Sequence, residues 1–401
     1  MITPFFQTTD GTIRTYVGDA LAVLREMPAD TVHCSVTSPP YFGLRDYGVD
    51  GQIGLEETPA VFVARLVEVF REVRRVLHPS GVAWVNMGDS YAAAGGCHAG
   101  RADNQQGVGQ RRTHAAGAGD KGKRSAPSGL KPKDLIGIPW MLAFALRDDG
   151  WYLRQEIIWH KPAPMPESVT DRCTKAHEQV FLLAKSERYF YDAEAVKERS
   201  ISAGECRGGG KKYSSGEMMI NGQISHNLNS YGETPALANR RSVWTVASEP
   251  FPGSHFATFP SELIRPMIRA GSSERGCCPA CLAPWKRVVE REKMKRHRPN
   301  DITKRDGTNG TGNHCGNTVD GVSVTTRGWQ PTCECDASDP VPCTILDPFG
   351  GSGTTGMVAR QEGRACVMIE LNPGYAAMHR ARVMQVKAMA DEDAPLLAMA
   401  D

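Results

Sequence analysis

Three groups of residues have the types and spacing to do chemistry. The first is Ser38-Pro39-Pro40-Tyr41, placed directly after the apolar run Val32 to Val36. Two successive prolines fix φ and lack an N–H, so they neither extend a sheet nor continue a helix. The chain must leave its strand there, which puts Ser38 and Tyr41 at a strand's C-terminal end, where open α/β sheets bind ligands. A stiff turn that merely stops a strand fits this stretch equally well. The second group is DPFGGSGTTG, residues 347 to 356, between the strand-like TILD and a helical pattern. Gly350, Gly351 and Gly353 allow close backbone approach, and a helix N-terminus favours polar or anionic groups. The spacing matches neither G-x-G-x-x-G nor a P-loop. Glu370 ends the next strand, VMIE, seventeen residues after Gly353. An acid there accepts hydrogen bonds from ribose hydroxyls, so the expected ligand is a nucleoside without a pyrophosphate.

The third group is cysteine. Seven of the twelve cysteines, Cys277, Cys278, Cys281, Cys315, Cys333, Cys335 and Cys343, fall between 277 and 343. Cys278-x-x-Cys281 and Cys333-x-Cys335 supply four thiolates, the donor set of a closed tetrahedral structural zinc site. The 51-residue gap between the pairs is irregular. Cys277 and Cys343 are spare ligands, and ordinary reduced cysteines are the alternative. A catalytic zinc is not expected, because no open site with histidine or carboxylate is evident.

Elements able to position these groups can be read around them. VHCSVTSPP is a strand. TPAVFVARLVEVFREVRRVLHPSG carries apolar residues at helical spacing (Val63, Leu66, Val67, Phe70, Val73, Val76, Leu77) and ends in Pro-Ser-Gly, a helix stop. VAWVNMGDS is apolar enough for a strand buried on both faces. DLIGIPWMLAFALRDDG reads as a helix, LRQEIIWHKP and HEQVFLLAKS as strands, and FATFPSELIRPMIRAG as a turn into a short helix. The stretch from Thr344 to Gln385 reads strand, glycine turn, helix, strand, helix: one βαβ unit.

The intervening segments differ. Residues 92–133 hold nine glycines and eight basic residues against two acidic ones, a net charge of +6. They read as a mobile basic loop able to meet a polyanion, or as a solvated tether. Residues 193–243 are irregular, with basic residues interleaved with Tyr213 and Tyr231. That pattern suits nucleic-acid contact or a surface loop. Between the cysteine pairs lies the basic stretch KMKRHRPN, 293–300.

The totals bound the class. At 401 residues the chain accommodates one large domain with insertions, or two domains. No apolar run reaches the roughly 18 residues of a membrane span. The start lacks the pattern of a signal peptide, so a cytoplasmic protein is expected, in which twelve cysteines do not form a disulfide framework. A net charge of +2 neither demands nor excludes nucleic acid.

Taken together, SPPY and DPFGGSGTT resemble the S-adenosylmethionine-dependent DNA amino-methyltransferases, which modify N4 of cytosine or N6 of adenine. The catalytic motif comes first and the cofactor motif last, as in the β group of that family. YVGDALAVL resembles the segment whose acid, here Asp19, contacts the cofactor's adenine. IIWHKP and FATFPSELI match further family segments, the second beside the methionine end. The resemblance covers most of 13–91, 134–192 and 244–391.

It implies an α/β fold: a Rossmann-like methyltransferase sheet, circularly permuted, with irregular DNA-recognition insertions and a small zinc-binding insertion. The implied division is catalytic half 1–91, basic loop 92–133, core continued 134–192, target recognition 193–243, cofactor-side helix 244–271, cysteine-rich insertion 272–343 and cofactor half 344–401. The implied catalytic residues are Ser38, Pro39, Pro40 and Tyr41. The implied cofactor set is Asp19, Thr37, Phe259, Pro260, Asp347, Pro348, Phe349, Gly350, Gly351, Gly353, Thr354, Thr355, Glu370 and Asn372. Double-stranded DNA is the implied partner, and a homodimer is compatible with the family.

The physical reading agrees. An exocyclic amine is a poor nucleophile because its lone pair is delocalised into the ring. The Ser38 hydroxyl and the Pro39 carbonyl are two fixed acceptors for its N–H groups, and the prolines preorganise them. Tyr41 offers a face to a flipped base, and Phe42 is expected to extend that wall. In the family, serine at position 38 goes with cytosine more often than adenine, without excluding adenine. Two rival readings stand beside this one: an RNA or protein-amide methyltransferase, and a non-catalytic DNA-binding protein with a zinc module.

Overall fold

The computed structural model describes residues 2–44, 46, 48–92, 130–199, 218–220, 223–225, 237–249, 258–293, 322–336 and 339–385, with 218–225 as backbone only. Nearly all of the basic loop 92–133, most of 200–236 and residues 294–300 of KMKRHRPN lie outside them. The described chain falls into two compact units. The first comprises Met1–Ala195, Arg241–Lys286 and Pro331–Asp401; the second comprises Val196–Arg240 and Arg287–Gln330.

The first unit is built on a nine-stranded sheet. Its strands are β1 (Phe6–Gln7), β2 (Ile13–Val17), β3 (Val32–Thr37), β4 (Leu77–Met87), β5 (Tyr152–His160), β6 (His177–Ala184), β7 (Val243–Thr245), β8 (Thr344–Asp347) and β9 (Ala365–Glu370). They lie in the order β1-β2-β9-β8-β3-β4-β6-β5-β7. The pairs from β2 to β4 are parallel, β6 runs antiparallel to both neighbours, and β1 is antiparallel to β2. Every residue of β3 is buried, as are Ile345 to Asp347 of β8. This is the continuous burial of parallel strands covered on both faces.

The order confirms the permutation. β8 and β9 come last in the chain, yet pair between β2 and β3 near the middle of the sheet. The C-terminal ends of β8 and β3 therefore lie side by side, bringing Asp347 and Thr37 within hydrogen-bonding distance across 310 residues of sequence.

Among the described residues, six α-helices accompany the sheet: α1 (Ala20–Glu26), α2 (Pro59–Val76), α3 (Ile138–Asp148), α4 (Ser261–Gly271), α5 (Thr354–Gln361) and α6 (Pro373–Met384). Local chemistry sets their starts. Asp19 caps α1 by accepting from Ala22 N, and Thr58 caps α2 with Pro59 in its first turn. The apolar stripe of α2 buries Phe62, Leu66, Phe70 and Val73 completely, each contributing about 1.5–3 kcal/mol.

One boundary differs from the sequence expectation. Leu77 continues the helical spacing of α2, but its backbone is extended and it begins β4, opposite Val32. His78 to Gly81 then form an irregularity, and regular pairing resumes at Cys34 opposite Val82. Pro79 lacks the N–H that an unbroken ladder would use. Burial of Leu77 satisfies either geometry, so spacing alone does not separate them. A second difference is β7, which adds to the sheet edge beside β5 and begins at Val243, the last residue of the stretch that reads as irregular.

Lys286–Lys293 and Val322–Gln330 form a two-stranded sheet, which belongs to the second unit from Arg287 onward. Arg287 stacks 4.3 Å from the Trp329 ring centre, and Arg327 pairs with Glu290. Glu198–Arg199 pairs with Leu237–Ala238.

Candidate active site

A cleft opens at the C-terminal ends of β3, β8, β9 and β2. Its wall includes Asp19, Ser38, Pro39, Pro40, Tyr41, Phe259, Pro348, Phe349, Gly350, Gly351, Thr354, Glu370 and Asn372. The fold thus brings together residues from both ends of the sequence. Thr37, Pro260, Asp347, Gly353 and Thr355 do not line the cleft. Pro260 is the N-cap of α4, Asp347, Gly353 and Thr355 belong to the glycine turn and the start of α5, and Thr37 ends β3 against Asp347.

Asp347 is fully buried. One carboxylate oxygen accepts from Thr37 Oγ1 at 2.8 Å and from Phe349 N at 3.1 Å; the other accepts from Thr355 Oγ1 at 2.6 Å. Burial raises its pKa to about 6, opposed by those three donors. The carboxylate pins the end of β3, the turn and the first residues of α5 to one point.

The glycines are required by a residue that spacing does not reveal. His379 of α6 is fully buried under the turn. Its Nε2 bonds Gly351 O at 2.9 Å and its Nδ1 meets Thr15 Oγ1 at 3.1 Å. A Cβ on Gly350 or Gly353 would approach the imidazole to 2.9 or 2.8 Å, and Gly353 also has φ +84°. Burial lowers the pKa of His379 to about 4, so it is neutral under ordinary conditions. Arg382, one turn on, donates to Ser352 Oγ at 2.6 Å and Thr354 Oγ1 at 2.8 Å.

Glu370 ends β9 at the cleft. Its oxygens accept from Gly351 N at 2.7 Å and Asn372 N at 2.9 Å, which orients the carboxylate and leaves lone pairs for a ligand. Burial raises its pKa to about 7.

On the opposite wall, Tyr41 is held by its hydroxyl. The hydroxyl donates to Glu178 Oε2 at 2.6 Å and accepts from Asn86 Nδ2 at 2.9 Å. Ser38 Oγ donates to it at 3.4 Å. Lys161 pairs with the other Glu178 oxygen and lies 4.3 Å from the Trp159 ring centre. Burial and the neighbouring Glu178 carboxylate push the Tyr41 phenol well above its ordinary pKa. Gly88 backs the ring: a Cβ there would meet Tyr41 Cε2 at 2.5 Å. Asp89 then caps α3 through Gly137 N and Ile138 N, both at 3.0 Å.

Asn86, Gly88, Lys161 and Glu178 were not legible as site residues. IIWHKP and HEQVFLLAKS signalled strands, and only their antiparallel pairing aims Lys161 and Glu178 at Tyr41. Phe42 departs from expectation. It is buried, packs against Phe62 with ring centres 5.4 Å apart, and does not extend the cleft wall. The turn after Tyr41 sends successive side chains to opposite sides, so Phe42 joins the core while Leu44 and Ile53 line the cleft.

Away from the cleft, the Sγ atoms of Cys278, Cys281, Cys333 and Cys335 all lie within 4.8 Å of one another. Cys277 and Cys343 do not join them. They cluster with buried His33, whose Nδ1 accepts from Thr344 N at 3.0 Å and whose Nε2 bonds Leu282 O at 2.8 Å. With both nitrogens engaged, His33 ties the cysteine loop to β3 and β8 and is not a free metal ligand.

Permuted sheet order, glycine turn, strand-end acid and Ser-Pro-Pro-Tyr wall together define a Rossmann-like methyltransferase. The chain belongs to the DNA methylase family, whose N6/N4 amino-methyltransferase model matches residues 32–278 and 340–380. It is a site-specific DNA amino-methyltransferase. It is 40% identical over 360 residues to the Type II methyltransferase M.Cfr9I of Citrobacter freundii, covering 90% of this chain and 84% of that protein. It is 40% identical over 363 residues to M.XycI of Xanthomonas campestris pv. cyanopsidis, covering 90% and 85%. It is 35% identical over 369 residues to M.SmaI of Serratia marcescens, covering 92% and 90%. Among solved structures, the PvuII cytosine-N4-specific DNA methyltransferase shares the fold, with a TM-score of 0.52, 16% identity, and 97% and 90% of the two chains covered. Among the described residues, no helix is long and apolar enough to cross a membrane.

Proposed function

We propose that the chain methylates N4 of a cytosine flipped out of duplex DNA, with S-adenosylmethionine as donor. The observation that carries the base assignment is Ser38. It places a hydroxyl, rather than a carboxylate, at the cleft wall beside the rigid Pro39-Pro40 turn. The donor supplies an electrophilic methyl group when bound. Around it, Glu370 accepts from the ribose hydroxyls, Asp19 and Asn372 flank the nucleoside, and the Gly350-Gly351 backbone closes on it. Phe259 faces the methionine end. The residues fit such a ligand: the carboxylate is oriented by two backbone N–H groups, and the cleft is lined mainly by apolar and glycine residues.

On the other wall, Ser38 Oγ and the Pro39 carbonyl accept from the two amine hydrogens, drawing the nitrogen lone pair out of conjugation. Tyr41 stacks on the base. Holding amine and methyl group in line supplies much of the acceleration, and base flipping costs a few kcal/mol, offset by stacking and hydrogen bonds.

Further assignments complete the reading. The four converging thiols hold a structural zinc: Zn–S bonds of about 2.3 Å require sulfurs about 3.8 Å apart in a tetrahedron, a small closure from the observed cluster. The second unit, with the stretch 193–243, reads the target sequence, and the Type II relatives point to a role in restriction-modification. A cytoplasmic location completes the reading, and a homodimer is compatible with the family.

The test is nucleoside mass analysis. Unmethylated duplex DNA of varied sequence, incubated with protein and S-adenosylmethionine and digested fully, should yield N4-methylcytosine. N6-methyladenine would overturn the base assignment and keep the amino-methyltransferase.

A further inference from the structure

A methyltransferase acting on an amine must dispose of a proton. When the amine nitrogen forms its bond to the methyl carbon, the carbon–sulfur electron pair stays with sulfur, which passes from cationic to neutral. The nitrogen is left with one proton too many. Ser38 accepts from the amine, yet a serine hydroxyl cannot keep a proton. A carboxylate at that position could, and this chain has none there.

The geometry points to a relay that runs from the amine through Ser38 and Tyr41 to the Glu178 carboxylate. Ser38 Oγ donates to Tyr41 Oη at 3.4 Å, and Tyr41 Oη donates to Glu178 Oε2 at 2.6 Å. Donors and acceptors are aligned in one direction, from the cleft wall inward. Asn86 Nδ2 lies against all three oxygens, at 3.4 Å from Ser38 Oγ, 2.9 Å from Tyr41 Oη and 2.9 Å from Glu178 Oε2. It holds them in a row.

The transfer balances. The amine N–H pair stays on nitrogen as its proton passes to Ser38 Oγ; the Ser38 proton moves to Tyr41 Oη; the Tyr41 proton moves to Glu178 Oε2. The net change is one proton moved from the amine to the carboxylate. The loss of the sulfonium charge is matched by neutralisation of Glu178, which later returns its proton to solvent. The first link is long, as such bonds often are before substrate tightens them. The raised pKa of the Tyr41 phenol makes it a conduit rather than a resting place for charge. The inference rests on the amino-methyltransferase reading and holds for cytosine or adenine alike.

The groups facing Glu178 are Tyr41 from the β3 turn, Asn86 from β4, and Lys161, which pairs with its other oxygen. Lys175 also interacts with it electrostatically and lies near Asp89. Glu178 does not line the cleft, so its role is exerted through Tyr41.

The experiment is single-turnover methylation at saturating cofactor on a duplex carrying the mapped target. A fluorescent base analogue at the target reports flipping. E178Q keeps an oxygen for the Tyr41 hydroxyl but cannot take its proton, and Y41F keeps the aromatic ring. Each should slow methyl transfer by about 10²–10⁴-fold, with flipping and cofactor affinity within twofold of wild type. E178D, which restores a carboxylate, should return part of the rate. An E178Q rate within threefold of wild type, or an E178D rate no better than that of E178Q, overturns the relay. So does a parallel loss of flipping and rate, which would make Glu178 only an anchor for the ring. A wild-type protein that methylates no duplex removes the function reading, and the relay with it.

Discussion

Gly88→Ala tests whether the site depends on the position of one ring. The Gly88 backbone is not in the left-handed region, so alanine brings no backbone strain there. The added Cβ would lie 2.5 Å from Tyr41 Cε2, 3.0 Å from Cδ2 and 3.2 Å from Cζ. Restoring ordinary contact requires a displacement of about 0.9 Å, in a centre where a 1 Å error costs on the order of 10²-fold in rate. The ring cannot swing freely, because its hydroxyl is bound at 2.6 Å to Glu178 and 2.9 Å to Asn86. Either those bonds break or the turn shifts, and overpacking of this kind costs about 1–3 kcal/mol. The expected result is a roughly 100-fold lower single-turnover methylation rate, with cofactor affinity by calorimetry within twofold of wild type, since the cofactor residues stand on the other wall. A Tyr41→Phe background, which frees the ring, should reduce the further loss caused by Gly88→Ala. A Gly88→Ala protein that is folded and turns over within twofold of wild type would refute the argument that Tyr41 is held in place for catalysis.

Ser38→Ala should remove most turnover, about 10²–10³-fold for one lost preorganised acceptor, and leave cofactor binding intact; lost cofactor binding would misplace the catalytic wall. Because burial raises the Glu370 pKa to about 7, its carboxylate is protonated as pH falls through that value and ceases to be a charged acceptor. Cofactor Kd should therefore rise about tenfold from pH 8 to pH 6, and Glu370→Gln should bind weakly with little pH dependence; a flat wild-type profile would remove the ribose role. Metal analysis of protein purified under reductant should return about one zinc per chain. Cys281→Ser or Cys333→Ser should lower both zinc content and Tm without changing which nucleoside is methylated; a metal content near zero would sink the site.

The elements around the cleft were largely legible in the chain. The prolines after β3 fixed a turn, the glycines before α5 fixed another, and the acid at the end of β9 lines the cleft. Each is a local property, because backbone freedom, missing N–H groups and strand ends belong to a few consecutive residues. The cysteine pairs were equally local, and the fold brought their four sulfurs together. Phe42 and Leu77 show the limit: both are apolar residues whose destination depends on which surface closes over them. Tertiary structure alone decided what lies behind the walls. His379 beneath the glycine turn, Asp347 joining β3 to α5, and Glu178 with Lys161 beside Tyr41 come from segments far apart in the chain. Their alignment depends on strand order and register, in which one antiparallel strand between β4 and β5 turns Glu178 toward the hydroxyl. Pairwise register is set by packing of whole strands, and no short motif encodes it.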